Sequence, residues 1–486
     1  MKRITINPIT RLEGHGKIDI YLNDSGDVDQ AYFQVPEFRG FEKFCEGRAA
    51  EEMPTLTQKI CGVCPTAHHT ASSKTLDALF SVEPPTAARK IREFLYNSFM
   101  FEDHLLHFYF LGGPDFVVGP NAPKEKRNIL GVIGKVGLDI GKKVIDMRKR
   151  IRSINATISG SPLHPVHGLP GGVSRPLTED DRAQMKDVVK DVVDFAELTL
   201  KIFDDIVLKN REYIDLITGD VYKHQTYYMG LVDENNKVSF YEGKIRVVDP
   251  QGNEFAKFEA KDYMQHLEEA VFAWSYVKVL YLKNVGWKGF VDGKDSGIYR
   301  VAPLARLNVA DGMATPLAQA EFERMFTTLG SKPAHNTLAY HWARLIEVLY
   351  AAERMNELVN DEELTSPKVR NIPSQPPAEG VGVCEAPRGT LFHHYQTDDN
   401  GIIKKVNLLV ATQNNAAGIC MSIERAARKL IKGGKVSGGI LNMIEMAFRA
   451  YDPCLACATH SLPGDMPLIV NIYDAKKKLV KEISRH

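Results

Sequence analysis

The chain carries two Cys-x-x-Cys pairs, and they lie almost its whole length apart. Cys61 and Cys64 stand in ICGVC; Cys454 and Cys457 stand in DPCLACATH. Two thiolates three residues apart can chelate one ion. Zinc ribbons and fingers keep their pairs within a few tens of residues, because there the metal replaces a missing core. A redox pair needs a thioredoxin-like βαβ setting, which surrounds neither pair. If the four sulfurs share a metal, the polypeptide must fold so that its two extremities meet. That suits a catalytic metal held between the halves of a large body, with an all-cysteine zinc site as the competing reading.

The chain can build such a body: 44% of its 486 residues are hydrophobic and 25% charged. Its 61 basic and 61 acidic residues cancel, so no charge excess points to nucleic acid. MKRITINPITRLEGH lacks the apolar core of a signal peptide, and no run of about eighteen apolar residues offers a membrane span. The expected location is the cytoplasm. The other three cysteines, Cys45, Cys384 and Cys420, read as small buried residues, since an odd, sparse count argues against a disulfide framework.

Periodicity predicts an α+β chain, predominantly helical, with a long-helix core and small peripheral sheets. HGKIDIYLNDSGDVDQAYFQV alternates as two strands around a Ser-Gly turn. TAHHTASSKTLDALF and PPTAARKIREFLYNSFMFEDHLLHFYFL repeat apolar residues at helical spacing, with the double proline opening the second helix. Long amphipathic helices are expected over 124–153 and 178–210, strands over 237–260, and helices over 316–330, 335–359, 420–432 and 439–450. Strands are expected after the loose run at 366–389. No phosphate-cradling glycine motif is present. The boundaries expected are one large domain, 1–460, and an extension, 461–486.

RLEGH (11–15), FRGFE (38–42), ICGVCPTAH (60–68), DHLLHFY (103–109), PGGV (170–173), EAPRG (385–389) and DPCLACATH (452–460) occur in this order. In order and interval the set resembles the large, catalytic subunits of NiFe hydrogenases, in the soluble, cofactor-coupled branch. The likeness runs from residue 5 to the end of the chain; Lys59 stands where an arginine is common. It implies the hydrogenase large-subunit fold and a nickel–iron centre. Cys61 and Cys454 would bind nickel terminally, and Cys64 and Cys457 would bridge nickel to an iron carrying one carbon monoxide and two cyanides. Soft thiolates suit nickel, with selectivity left to geometry and delivery. Formal charges sum to about −2, and a buried dianion needs positive or donor neighbours.

The resemblance names those neighbours. Arg388 would stand over the metals, held by Asp103 and Asp452; by itself Arg388 reads as a loop arginine and Asp452 as a helix N-cap. Glu13 would be the proton gate beside Cys454, although a lone glutamate is usually solvated. His68 would donate to a bridging sulfur. His107 reads either as another such donor or as a satisfied core histidine. Thr412 would lie near a cyanide. Glu42, His460 and the Leu408 carbonyl would hold a separate ion, magnesium or iron.

The implied reaction is reversible heterolytic oxidation of hydrogen. No cysteines remain for iron–sulfur clusters, which need about four each. Electrons would therefore leave through partner chains: an iron–sulfur small subunit, then further subunits of the NAD(P)/flavin, deazaflavin or heterodisulfide reductase type. A maturation protease would remove 461–486, which reads as a hairpin with a charged turn and would hold Cys454 and Cys457 away until assembly ends. The alternatives are a zinc-stabilised scaffold and a metal-free complex-I-like coupling subunit.

Overall fold

Four packed helices form the centre of the molecule. The computed structural model describes residues 2–37, 39–461, 468–474 and 478–485. Helix α1 (Pro65–Leu79) opens with proline at its first turn, directly after Cys64, where the missing N–H costs nothing. Helix α2 (Thr86–Leu106) follows Pro84–Pro85 as the double proline predicts, and runs into a π-helical turn over His107–Gly112. The stretch expected as one helix over 124–153 is two, α3 (Ile129–Val136) and α4 (Leu138–Ser159), because Gly137 takes φ 94° between them. The stretch at 178–210 divides likewise into Glu179–Val189 and α5 (Val192–Phe203).

Helix α6 (Tyr340–Asn360) is buried on nearly every side, with Arg344, Glu347 and Glu353 among its buried residues. It packs on α2 and α5, while α2 also packs on α4. Expected helices appear at Pro316–Leu329, α7 (Ala416–Leu430) and α8 (Gly438–Arg449), the last capped by the Ser437 side chain. A single turn, α9 (Leu455–Ala458), carries the second cysteine pair. Periodicity did not foresee the helix Pro303–Val309.

The sheets are small and peripheral. Strands β1 (Lys2–Ile6), β2 (Lys17–Leu22) and β3 (Val28–Gln34) form an antiparallel meander; β1 is an addition to the two strands expected. Strands β4 (Tyr227–Val232), β5 (Lys244–Val248) and β6 (Glu254–Phe258) pair in sequence over a second, smaller core. Strands β7 (Glu379–Ala386), β8 (Gly389–Thr397) and β9 (Ile403–Leu409) form a third antiparallel sheet. Strands β10 (Leu468–Tyr473) and β11 (Leu479–Arg485) give the expected terminal hairpin; its turn at 475–477 lies outside the described residues. Among the described residues no helix is long and apolar enough to cross a membrane.

Two contacts align the pieces that matter for function. Strand β7 lies against α1 with Gly380 and Gly382 facing the helix backbone. A Cβ on Gly382 would stand 2.5 Å from Ala71 O, and one on Gly380 2.5 Å from Leu79 N. That approach fixes Cys64, at the start of α1, relative to Arg388, at the end of β7. Glu13 also forms a parallel bridge with Cys454, which ties the N-terminal segment to the second cysteine pair.

Candidate metal centre

The four sulfurs meet. The Sγ atoms of Cys61, Cys64, Cys454 and Cys457 all lie within 4.8 Å of one another, and all four residues are buried. Cys61 is 3.2 Å from Cys454, Cys64 is 3.4 Å from Cys457, and Cys454 is 2.8 Å from Cys457. The Val63 and Cys64 amides donate to Cys61 Sγ at 3.2 Å. Burial pushes the Cys454 and Cys457 thiols well up. Cys61 goes the other way, because donation from Cys454 and the other sulfurs outweighs its burial. Four thiolates gathered together require a metal cation to balance them.

A small cavity of about 10 Å³ adjoins this cluster, lined by Cys64, Cys457, Cys454, His68, Thr412 and Arg388 among apolar neighbours. It lies beside the Cys64–Cys457 pair and does not reach Cys61. The gap opens on the side of the two cysteines expected to bridge.

Arg388 stands over the cavity, almost wholly buried. It forks onto Asp103, with contacts of 3.1 and 3.2 Å, and reaches Asp452 at 2.9 Å. Its Nε has no hydrogen-bond partner, so one buried donor remains for a ligand such as cyanide. Burial pushes Asp103 up to about 7 despite Arg388, and raises Asp452 as well. Asp452 takes φ 54° and pairs with Arg388; it does not cap a helix, the turn being capped by Cys454.

Glu13 is only partly buried. Cys454 Sγ donates to its Oε2 at 3.0 Å, and the Ala456 amide donates to the same oxygen at 3.1 Å. Burial raises its pKa, and Cys61 adds to that. Gly14 explains the motif's glycine: at φ 85°, a Cβ there would stand 2.9 Å from Ala456 N and Leu455 Cβ. Thr412 Oγ1 accepts the Cys454 N–H at 2.9 Å, so it positions the cysteine as well as lining the cavity.

His68 Nε2 lies 3.5 Å from Cys457 Sγ, and its Nδ1 lies 3.1 Å from His393 Nε2. His393 Nδ1 is 2.5 Å from Tyr395 Oη, which is 2.9 Å from Ser72 Oγ. Burial pushes His68 down to about 4, so it is neutral. Donation to sulfur from Nε2 then makes Nδ1 the acceptor of the His393 N–H. Sequence reasoning missed His393, Tyr395 and Ser72, although H-x-Y in a strand places both rings on one face. His107 packs as a core histidine: its Nε2 donates to Arg449 O at 2.9 Å and its ring stacks on His341, while its buried Nδ1 has no hydrogen-bond partner.

The residues expected to hold a separate ion also converge. The Leu408 amide donates to Glu42 Oε1 at 2.7 Å, and His460 Nε2 is 3.6 Å from that oxygen. His460 Nε2 is 2.6 Å from Leu408 O, while its Nδ1 is 2.8 Å from Cys457 O. Both ring nitrogens thus face carbonyl oxygens, and Nε2, Leu408 O and Glu42 Oε1 gather where a cation can be shared. All these contacts form with residue 461 attached.

Comparison with known proteins agrees with this geometry. The family model for nickel-dependent hydrogenase matches residues 39–128 and 142–460, and a HoxL-like model matches 3–38. The chain is 49% identical over 484 residues to an F420-non-reducing hydrogenase iron-sulfur subunit of Archaeoglobus profundus, covering 99% of each. It is 37% identical to the beta chain of the NAD-reducing hydrogenase HoxS of Cupriavidus necator, covering all of both. Among solved structures, an NAD+-reducing [NiFe]-hydrogenase in the H2-reduced state superposes with a TM-score of 0.88 at 36% identity, covering 95% of this chain and 100% of that one.

Proposed function

Since the chain belongs to the nickel-dependent hydrogenases, as a large subunit of the NiFe type, we propose that it oxidises hydrogen reversibly at a nickel–iron centre on Cys61, Cys64, Cys454 and Cys457. The observation that carries this reading is the convergence of four buried sulfurs beside a cavity faced by an unsatisfied arginine donor. When bound, the two metals supply Lewis acidity for heterolytic cleavage of hydrogen. The iron's carbon monoxide and two cyanides would be received on the Cys64–Cys457 side, where Arg388 Nε and Thr412 are the available polar groups.

The chain's own groups move the proton. Cys454 Sγ hands it to Glu13 Oε2 across 3.0 Å. Glu13 is partly exposed, so it can pass the proton outward. Asp103 and Asp452 hold Arg388 in one orientation. His68, backed by His393 and Tyr395, orients Cys457. Glu42, Leu408 O and His460 hold magnesium or iron, which pins the segment after Cys457.

Electrons leave through an iron–sulfur small subunit, since this chain has no spare cysteine set. The relative named F420-non-reducing favours an acceptor other than that deazaflavin, and the relative named NAD-reducing makes NAD the second candidate. The reading includes a cytoplasmic location, which fractionation checks with hydrogen-dependent dye reduction as the marker. It also includes processing after His460, where the family match ends, by a maturation protease.

Elemental analysis of active protein tests the centre. Nickel and iron in near-equal amounts, with infrared bands of carbon monoxide and cyanide, are expected. Zinc alone would establish the scaffold reading, and no metal the complex-I-like one. Intact mass tests the processing: a fully active chain ending at His486 overturns it.

A further inference from the structure

Helices α3 and α4 present a surface that the hydrogenase chemistry does not use. Leu130 is 74% exposed, Leu138 61% and Ile145 58%. On α4, Leu138, Lys142, Ile145 and Lys149 recur at four-, three- and four-residue spacing, so they share one face; all four are exposed. Residues 124–152 hold ten basic and three acidic side chains, in a chain whose overall charge is zero. Arg148 and Arg152 are tied to Glu102, and Arg150 to Asp191. Lys135, Lys142, Lys143 and Lys149 have no ion pair among the described residues. Aliphatic residues repeated along the outer stripe of a helix make a contiguous patch, the kind of surface that marks an interaction site.

Two further observations bear on what covers this face. The nickel-dependent hydrogenase model leaves 129–141 unmatched, so this element is not part of what the whole family shares. A cleft of about 490 Å³ lies beside the segment leading into α3, lined by Lys124 and Arg127 together with Ile6, Pro8, Leu441 and one carboxylate, Glu445. The Arg127 Nε in that cleft has no hydrogen-bond partner.

We propose that α3, the N-terminal half of α4 and the adjoining cleft form a docking surface for a second protein chain of the hydrogenase assembly, one presenting carboxylates around aliphatic side chains. Charge complementarity selects that occupant. A second copy of this chain would set lysine against lysine. A bilayer is disfavoured because 121–159 contain no Trp, Tyr or Phe, the anchors of interfacial helices, and because the cleft is concave. Aliphatic centres ringed by charge, beside a recess with a free guanidinium nitrogen, fit a protein face with Asp or Glu to insert.

This inference rests on the multi-subunit reading, and the test separates the two. The native mass of the purified, active assembly shows whether a second chain is present. Carbodiimide treatment of the same preparation joins carboxylates to lysines in contact. Links from Lys142 or Lys149 to Asp or Glu of another chain are expected. The exposed pair Lys142→Glu with Lys149→Glu should weaken that chain's retention ~10-fold or more, with unchanged melting. A second chain that is present but unlinked to these lysines overturns the surface alone. Links to a second copy overturn it in favour of self-association. Co-sedimentation with phosphatidylglycerol vesicles that the double variant abolishes, without cross-links, overturns it in favour of a membrane. An active preparation holding this chain alone overturns both readings.

Discussion

Two side chains beside the sulfurs are not interchangeable with their near-isosteres. Glu13→Gln keeps an oxygen for the Ala456 amide but cannot carry a proton away from Cys454 Sγ. Nickel and iron contents should be unchanged, while hydrogen–deuterium exchange falls by ~10²-fold or more. Undiminished exchange removes Glu13 from the proton route. Arg388→Lys replaces a fork that reaches Asp103 and Asp452 together with a single ammonium. Dye reduction should drop by about 10²-fold, and altered cyanide bands in a metal-loaded variant would locate the loss at the ligands. Residue types at fixed spacing made the sulfurs legible in the sequence, but not what lies behind them. His393, Tyr395 and Ser72 come from a strand and a helix far apart in the chain, and each alone reads as core. His107, one turn beyond Asp103, was ambiguous because burial serves a ligand's neighbour and a packed histidine equally.

Among elements, the contact of α1 with β7 does most to set the geometry, because it positions Cys64 against Arg388. Gly382→Val would drive a side chain into Ala71 O and Thr75 N, each 2.5 Å from the position of a Cβ. Overpacking of this kind costs about 1–3 kcal/mol. Denaturant unfolding should show that loss together with a fall in bound nickel; a stable, fully loaded variant would mean the helix can shift without moving the site. Helix existence was readable from apolar spacing throughout, and helix continuity was not. The break at Gly137 depends on a backbone turn that a glycine permits without requiring. The π-helical turn after α2 left no mark in the periodicity. Strand β7 was hidden in a stretch rich in proline and glycine, because its glycines serve packing against α1 rather than a turn.

Across the whole molecule, charged groups from distant segments close the N-terminal region onto α8. Asp115 accepts from Arg11 and Arg449, each at 2.5 Å, and Arg449 also reaches Glu445. Burial pushes Asp115 up, but the two guanidiniums outweigh it and hold the carboxyl below its ordinary range. Its contribution to stability is therefore complete above about pH 4, and it is lost as pH falls through the lower value of the folded chain. Asp115→Asn should cost about 3–5 kcal/mol near neutrality by leaving two buried cations short of a partner. It should also flatten the acid side of a melting-temperature profile; an unchanged acid side would assign that loss to other carboxylates. The global arrangement was legible only as a requirement that the two ends meet, and resemblance supplied how they do.

The parallel bridge between Glu13 and Cys454 has a consequence for biosynthesis. A ribosome must translate nearly the entire message before residue 454 can reach its place beside residue 13. Until then the nascent chain offers one thiol pair, which lacks the partners to outcompete cellular chelators for scarce metal. Loading is thereby coupled to completed synthesis, and prematurely terminated products are left without cofactor by their own topology.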